Sequence, residues 1–228
     1  MRLLRRNRSS PNVVFVMFFL LLVAIFLGPS TLPRLLATLL PFVDEGVPCD
    51  WLREATDRSV HQSLLGRAVS LRDEPPISLD VRVSSVSLAD PAQLVVFSVI
   101  VINNTIGTVP ILVTPDELIL DPNQPTSGLG VVPGGAPDVS NVGEAVGSYP
   151  PGRIRLLGPQ QRCVHEVAIP FNQIPGGSAL VAENSTVRAF YRNNVRGAVQ
   201  QTSGVSVYGD QGLWTGVVES SPRAVGTG

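Results

Sequence analysis

Cys49 and Cys163 are the only two cysteines in the 228-residue chain, and they are its strongest chemical lead. In an oxidising compartment such a pair is expected to bridge, whereas in a reducing one both remain free thiols. A bridge would close a loop long enough to stabilise the fold by about 4–5 kcal/mol in the chain-entropy view. It would also pin the stretch that precedes the domain to a strand inside it. Beside the second cysteine stand His165 and Glu166, so three ligand-capable side chains lie close together. On a strand, Cys163 and His165 share a face and Glu166 points the other way. A zinc site requires three or four convergent ligands, and the chain's other histidine is His61. The pattern favours a satisfied strand histidine, and no metal ion or other cofactor is expected.

Other catalytic chemistry finds little support. All 17 basic residues are Arg and there is no Lys, which excludes Schiff-base lysines, a Walker lysine and Ser–Lys dyads. GC-rich codon usage accounts for that bias. A Ser–His–acid arrangement stays open among the many serines, but no G-x-S-x-G elbow occurs. The dinucleotide fingerprint G-x-G-x-x-G is absent as well. The expectation is a protein that is not an enzyme and has no catalytic residues.

The elements that must position these residues begin with an apolar run of fifteen, Val13 to Leu27, inside an uncharged stretch of twenty-five positions from Ser9 to Pro33. That length meets the roughly 20 residues needed to cross a hydrocarbon core of about 30 Å. Arg2, Arg5, Arg6 and Arg8 precede the stretch and a lone Arg34 follows it, which places the N-terminus in the cytoplasm and the remainder outside. A cleaved signal peptide is the competing reading; Gly28-Pro29-Ser30 offers small residues, but no A-x-A. Residues 1–8 are then a cytoplasmic basic tail and 9–33 a transmembrane signal anchor. Residues 34–76 form a juxtamembrane connector in which Leu35–Val43 is too short to span and is expected at the membrane interface. Asp50 is placed to cap a short helix that Gly66 would end. From Asp44 onward there are eighteen acids against twelve arginines, a net charge of about −6. That balance argues against nucleic-acid binding, which depends on a basic surface.

From Ile77 the pattern changes to period two. ISLDVRVSSVSL alternates as a half-buried strand, and Gln93–Asn103 reads as a central one. Further short strands are expected at Val109–Val113, Glu117–Leu120, Arg153–Leu157, Cys163–Pro170, Ala179–Ala182 and Val187–Tyr191. Val205–Tyr208 and Leu213–Val218 are expected to add edge strands. Gln124–Pro151, rich in Gly, Pro, Ser and Asn, reads as a long loop, and loops of that length are commonly functional or mobile. Asn103-Asn104-Thr105 and Asn184-Ser185-Thr186 match the glycosylation sequon but read as turns. Residues 77–218 are therefore expected to form an antiparallel β-sandwich, with 219–228 a frayed tail.

The strand Val95–Asn104, followed by Leu118-Ile119-Leu120-Asp121, resembles the core of a bacterial family of unknown function. Pro151-Gly152 before a strand ending at Val167-Ala168-Ile169-Pro170 is similar to it too. That family consists of membrane- or lipid-anchored extracytoplasmic domains with an immunoglobulin-like fold. The likeness covers about residues 77–192 and departs from the family in the long Gly/Pro loop. It implies location and an immunoglobulin-like β-sandwich, and brings no catalytic residues. The expected function is a single-pass cell-membrane protein presenting this domain to protein partners outside the cytoplasm, as an accessory subunit of a membrane complex. The alternative is a small-ligand or carbohydrate sensor whose site is shaped by the 124–151 loop.

Overall fold

The computed structural model describes residue 19 and residues 46–226, except 56–63, 85–89, 91, 146, 183 and 199–208. Apart from Phe19, the basic tail, the anchor and the Leu35–Val43 run lie outside the described residues. So do His61, the Ser85–Leu88 end of the first expected strand and the strand expected at Val205–Tyr208. No described helix is long and apolar enough to cross a membrane.

The strands fall into three sheets, all paired antiparallel except for one short parallel contact. The first sheet runs in the order β1 (Val47–Pro48), β7 (Arg162–Pro170), β3 (Leu94–Asn103), β2 (Ile77–Val83). Its alternation is the one the sequence carries: Ile77, Leu79, Val81 and Val83 are buried on β2, opposite Asn103, Val101, Val99 and Phe97 on β3. A two-stranded sheet pairs β4 (Val109–Leu112) with β6 (Ile154–Leu157). In the third sheet β8 (Thr186–Asn193) pairs with β5 (Gly128–Pro133) along one edge. Along its other edge it pairs with β9 (Gly216–Glu219) and β10 (Arg223–Ala224). Buried residues of all three sheets, among them Val99, Ile111, Leu157, Val131 and Tyr191, belong to one core cluster.

A corner at Asn103 carries β3 into β4 and β6 into β7. The Asn103 side chain is fully buried, and its amide donates to the carbonyls of Gly107 and Gly158 at 2.7 Å and of Leu157 at 3.1 Å. Its Oδ1 accepts from the Thr105 backbone N–H and hydroxyl. A buried polar side chain persists only when its bonds are made, so the Asn-Asn-Thr triplet is a structural turn whose first Asn is fully engaged.

Several expectations are corrected. The supposed loop 124–151 contains β5, a strand built from Gly128, Leu129, Gly130, Val131, Val132 and Pro133. Its weak propensity has a packing cause: a Cβ on Gly130 would strike the Phe190 ring and the Ile119 carbonyl, so only glycine permits that approach. Glu117–Leu120 is reduced to a single parallel bridge between Ile119 and Gly130. Ala179–Ala182 is not a strand; Gly177–Leu180 forms a 3-10 turn that drops Leu180 into the core. No helix spans Asp50 to Gly66 among the described residues. Cys49–Trp51 is one 3-10 turn, and the helix α1 (Leu64–Ser70) holds Gly66 within it, buried. The C-terminal stretch is paired rather than frayed: β10 joins β8, and the Gly226 N–H donates to Val83 at 3.2 Å.

Candidate functional site

Cys49 and Cys163 form a disulfide with a Cα–Cα distance of 4.9 Å across 114 positions of sequence. Both residues are buried, and the bridge sits where β1 runs parallel to β7, with Val47 opposite Cys163. After the Cys49–Trp51 turn the chain crosses to the two-stranded sheet. There Leu156 donates to Arg53 at 2.9 Å and Ala55 donates to Ile154 at 3.2 Å. The first ten described residues of the domain thus stitch two sheets together.

The neighbouring trio is split by the pleat. His165 lies on the core side, 2% exposed, with its Nε2 2.8 Å from the Glu117 carbonyl oxygen. Cys163 shares that face but is held in the bridge, and Glu166 stands exposed on the opposite face. Among the described residues no three His, Cys, Asp or Glu side chains converge on a point where a metal ion could sit.

The outer face of the first sheet carries a concavity. A groove of about 360 Å³ is lined by Gly46, Pro48, Asp50, Arg82, Ser98, Ile100, Val164, His165 and Glu166. Strand register explains its composition. Arg82 lies opposite Ser98 and Ser98 opposite Glu166, so one row across three strands is polar. The next row runs Asp80, Ile100, Val164, Pro48 and is mostly apolar. Strand spacing of about 4.8 Å sets the Arg82 and Glu166 backbones roughly 10 Å apart, a charge pair of opposite sign bracketing a hydroxyl.

Asp80 ends that second row, bonded to Arg223 at 2.7 and 3.0 Å. Burial alone would raise its carboxyl. The Arg223 hydrogen bonds, the Val81 N–H and the charges of Arg223 and Arg82 outweigh that and hold it below its ordinary value. Next to Asp50 in the chain, Trp51 is 80% exposed. Nothing in the local spacing marks it as a surface residue. Arg82, Ser98 and Glu166 were legible as the outward positions of alternating strands, though not as members of one row, because pairing register is not written in local sequence.

Ser98 has Arg82 and Glu166 as row neighbours, while the side chain of His165, the one histidine among the described residues, faces the core. A second concavity, between Phe97, Val131, Pro133, Ile174 and Leu180, is apolar and holds only about 10 Å³, the room of about one water molecule.

The 124–151 segment, the expected wall of a ligand site, supplies none of the groove's lining residues. It is packed instead over the second face of the β8 sheet, where Val139 joins Ile119, Val132 and Phe190 in a smaller core cluster. Arg188 holds it there, donating to Ala136 at 2.5 Å, Pro137 at 3.1 Å and Glu219 at 2.5 Å. Arg192, fully buried, donates to the carbonyls of Pro122, Gln124 and Thr126 around its start. Comparison with protein-family models, curated proteins and solved structures found no match to the chain.

Proposed function

We propose that the chain is a non-enzymatic, single-pass membrane protein, N-terminus inside, that displays an immunoglobulin-like β-sandwich outside the cytoplasm for contact with a protein partner. The observation that carries this reading is the outer-face groove. It combines a polar row of both charge signs with an apolar row, and its lining residue Asp50 is followed in the chain by the exposed Trp51. Interfaces concentrate their binding energy in Trp, Tyr and Arg surrounded by mixed polar groups, and Trp51 with Arg82 fits that composition. The disulfide agrees with a compartment outside the cytoplasm. The test is a photo-crosslinking residue at Ser98 in the full chain in native membranes. A discrete protein adduct is expected, and it should fall at least several-fold with Trp51→Ala or Arg82→Glu. Equal crosslinking from exposed Val142, or no protein adduct from Ser98, would refute the reading.

A second reading is favoured by the same tryptophan. An exposed indole next in the chain to Asp50, which lines a groove that also holds Glu166, is a composition that stacks on a sugar ring and bonds its hydroxyls. A thermal shift of the chain on a carbohydrate panel, lost in Trp51→Ala, would move the function to carbohydrate sensing.

A further inference from the structure

One pole of the domain gathers exposed apolar side chains where the chain enters. Gly46 lies so close to Arg162 that a Cβ there would come within 3.2 Å of its Cγ. Arg162 pairs with Ile102 at the Asn103 end of β3, and Ile77 starts β2 opposite Asn103. The turn after β3 joins the same pole: Gln160 donates to Thr105 at 3.0 Å, and Asn104 donates to Pro76 at 3.0 Å. At its tip Ile106 is 70% exposed. The next residue, Gly107, packs on α1, where an added Cβ would strike Val69 and come within 3.3 Å of the Leu65 carbonyl.

That helix is turned inside out relative to an ordinary amphipathic one. Its buried side is Gly66, Val69 and Ser70, while Leu64 is 81% and Leu65 53% exposed, and Leu71 just beyond it is also exposed. Large side chains in water and small ones against the protein is the arrangement of a helix with a further apolar contact to make. The basic residue of this helix, Arg67, is turned aside into a bidentate pair with Asp210 at 2.7 and 3.0 Å, so it leaves the leucines unflanked by that charge.

We propose that this pole, with Ile106, Leu64, Leu65 and Leu71, rests in the headgroup–acyl boundary of the outer leaflet. The inference relies on the membrane-anchor part of the proposed function. Only twelve residues, 34–45, separate the uncharged stretch from Gly46. Fully extended they reach on the order of 42 Å at about 3.5 Å per residue, and nine of them, Leu35–Val43, are an apolar run suited to the interface itself. A domain on so short a tether presents to the lipid the pole at which the tether joins it. Four large apolar side chains there gain by leaving water. The opposite pole, at Leu94, is the full length of β3 away, roughly 30 Å at 3.3 Å per residue.

The test uses the full chain in phosphatidylcholine–phosphatidylglycerol vesicles with a fluorescent non-natural residue at Ile106, Leu64 or Leu94. Lipids spin-labelled near the headgroup should quench positions 106 and 64 several-fold more than position 94. Alkaline extraction of the same vesicles keeps the two readings apart. Loss of the protein to the supernatant overturns the anchor and the docking with it. Retention with equal quenching at all three positions, or none, overturns the docking alone. Shielding of position 106 in native membranes but not in the purified vesicles overturns it too, by assigning the patch to a protein.

Discussion

Residues 46–55 and 134–150 have almost no regular secondary structure of their own, yet both are fixed, and by opposite means. The first stretch is held by backbone pairing to β7 and β6 and by one covalent bond, Cys49–Cys163. The second is held by side chains. Arg188 bonds two of its carbonyls, and Glu219 accepts the Val139 N–H at 2.7 Å. Tyr149 at its end bonds Ser127 at 3.2 Å and Asn193 at 3.4 Å. A covalent tie acts largely by restricting the unfolded chain and does not depend on the charge of any group. A buried polar network acts only in the folded state, and each missing member leaves its partners unsatisfied. Without lysine in the chain, the buried cations are arginines, whose planar fork serves several carbonyls at once. Segment 46–55 should therefore be robust to conditions and fragile to reduction, and segment 134–150 the reverse.

The largest expected effect tests the covalent half. Replacing both Cys49 and Cys163 with Ala should cost about 4–5 kcal/mol in the chain-entropy view, less if the denatured chain keeps structure. Denaturant unfolding followed by tryptophan fluorescence measures it, with dithiothreitol on the unmodified protein as a second arm. A loss under about 1 kcal/mol would mean that pairing to β7 and β6 holds the stretch without help from the bond. Hydrogen exchange in the double variant should rise at 46–55 and stay unchanged at 134–150.

Next in size is Arg188→Met, which keeps much of the side-chain volume and removes the fork. Glu219 would lose its 2.5 Å partner and two carbonyls would lose their donor. Breaking a largely buried pair of this kind costs about 3 kcal/mol. The distinguishing outcome is local: proteolysis and exchange should increase across 134–150 with 46–55 still protected. Uniform loosening of both stretches would erase the contrast between them.

How legible these two regions were follows from what holds them. The disulfide was readable because a chain with two cysteines has one pairing to choose. The long strands were readable because Ile77–Val83 writes burial at period two and Leu94–Asn103 is a nearly continuous run rich in Val and Ile. β5 was not, since its glycines are demanded by Phe190 and Ile119, residues that reach it only through tertiary packing. Burial of the 134–150 stretch was hidden for the same reason. Arg188 and Arg192 look like outward polar positions of a strand, and only the fold turns that face toward a second cluster. The groove stands between these cases: Arg82 and Glu166 were visible as outward positions, while the row that joins them through Ser98 depended on register.

The smallest expected effect is the pH dependence. Arg67–Asp210 ties α1 to the chain around Gly212, and Arg223–Asp80 ties β10 to β2. Burial raises the Asp210 carboxyl, but the two Arg67 bonds, the Gly212 N–H and the Arg196 charge more than reverse it, so it lies below its ordinary value of 3.8. Asp80 is lowered in the same way. A carboxyl whose folded pKa is depressed contributes its stability in full above the unfolded value and loses it as pH falls through the folded one. Because both pairs are partly solvated, the change should be only about 0.5–1 kcal/mol in total. Exchange measured on descending from pH 5 to pH 2 should show residues 223–226 opening early, while 46–55, tied by a bond that does not titrate, stays closed. Asp80→Asn should abolish the pH dependence at 223–226, and early opening of 46–55 in acid would show that its fixity rests on charge after all.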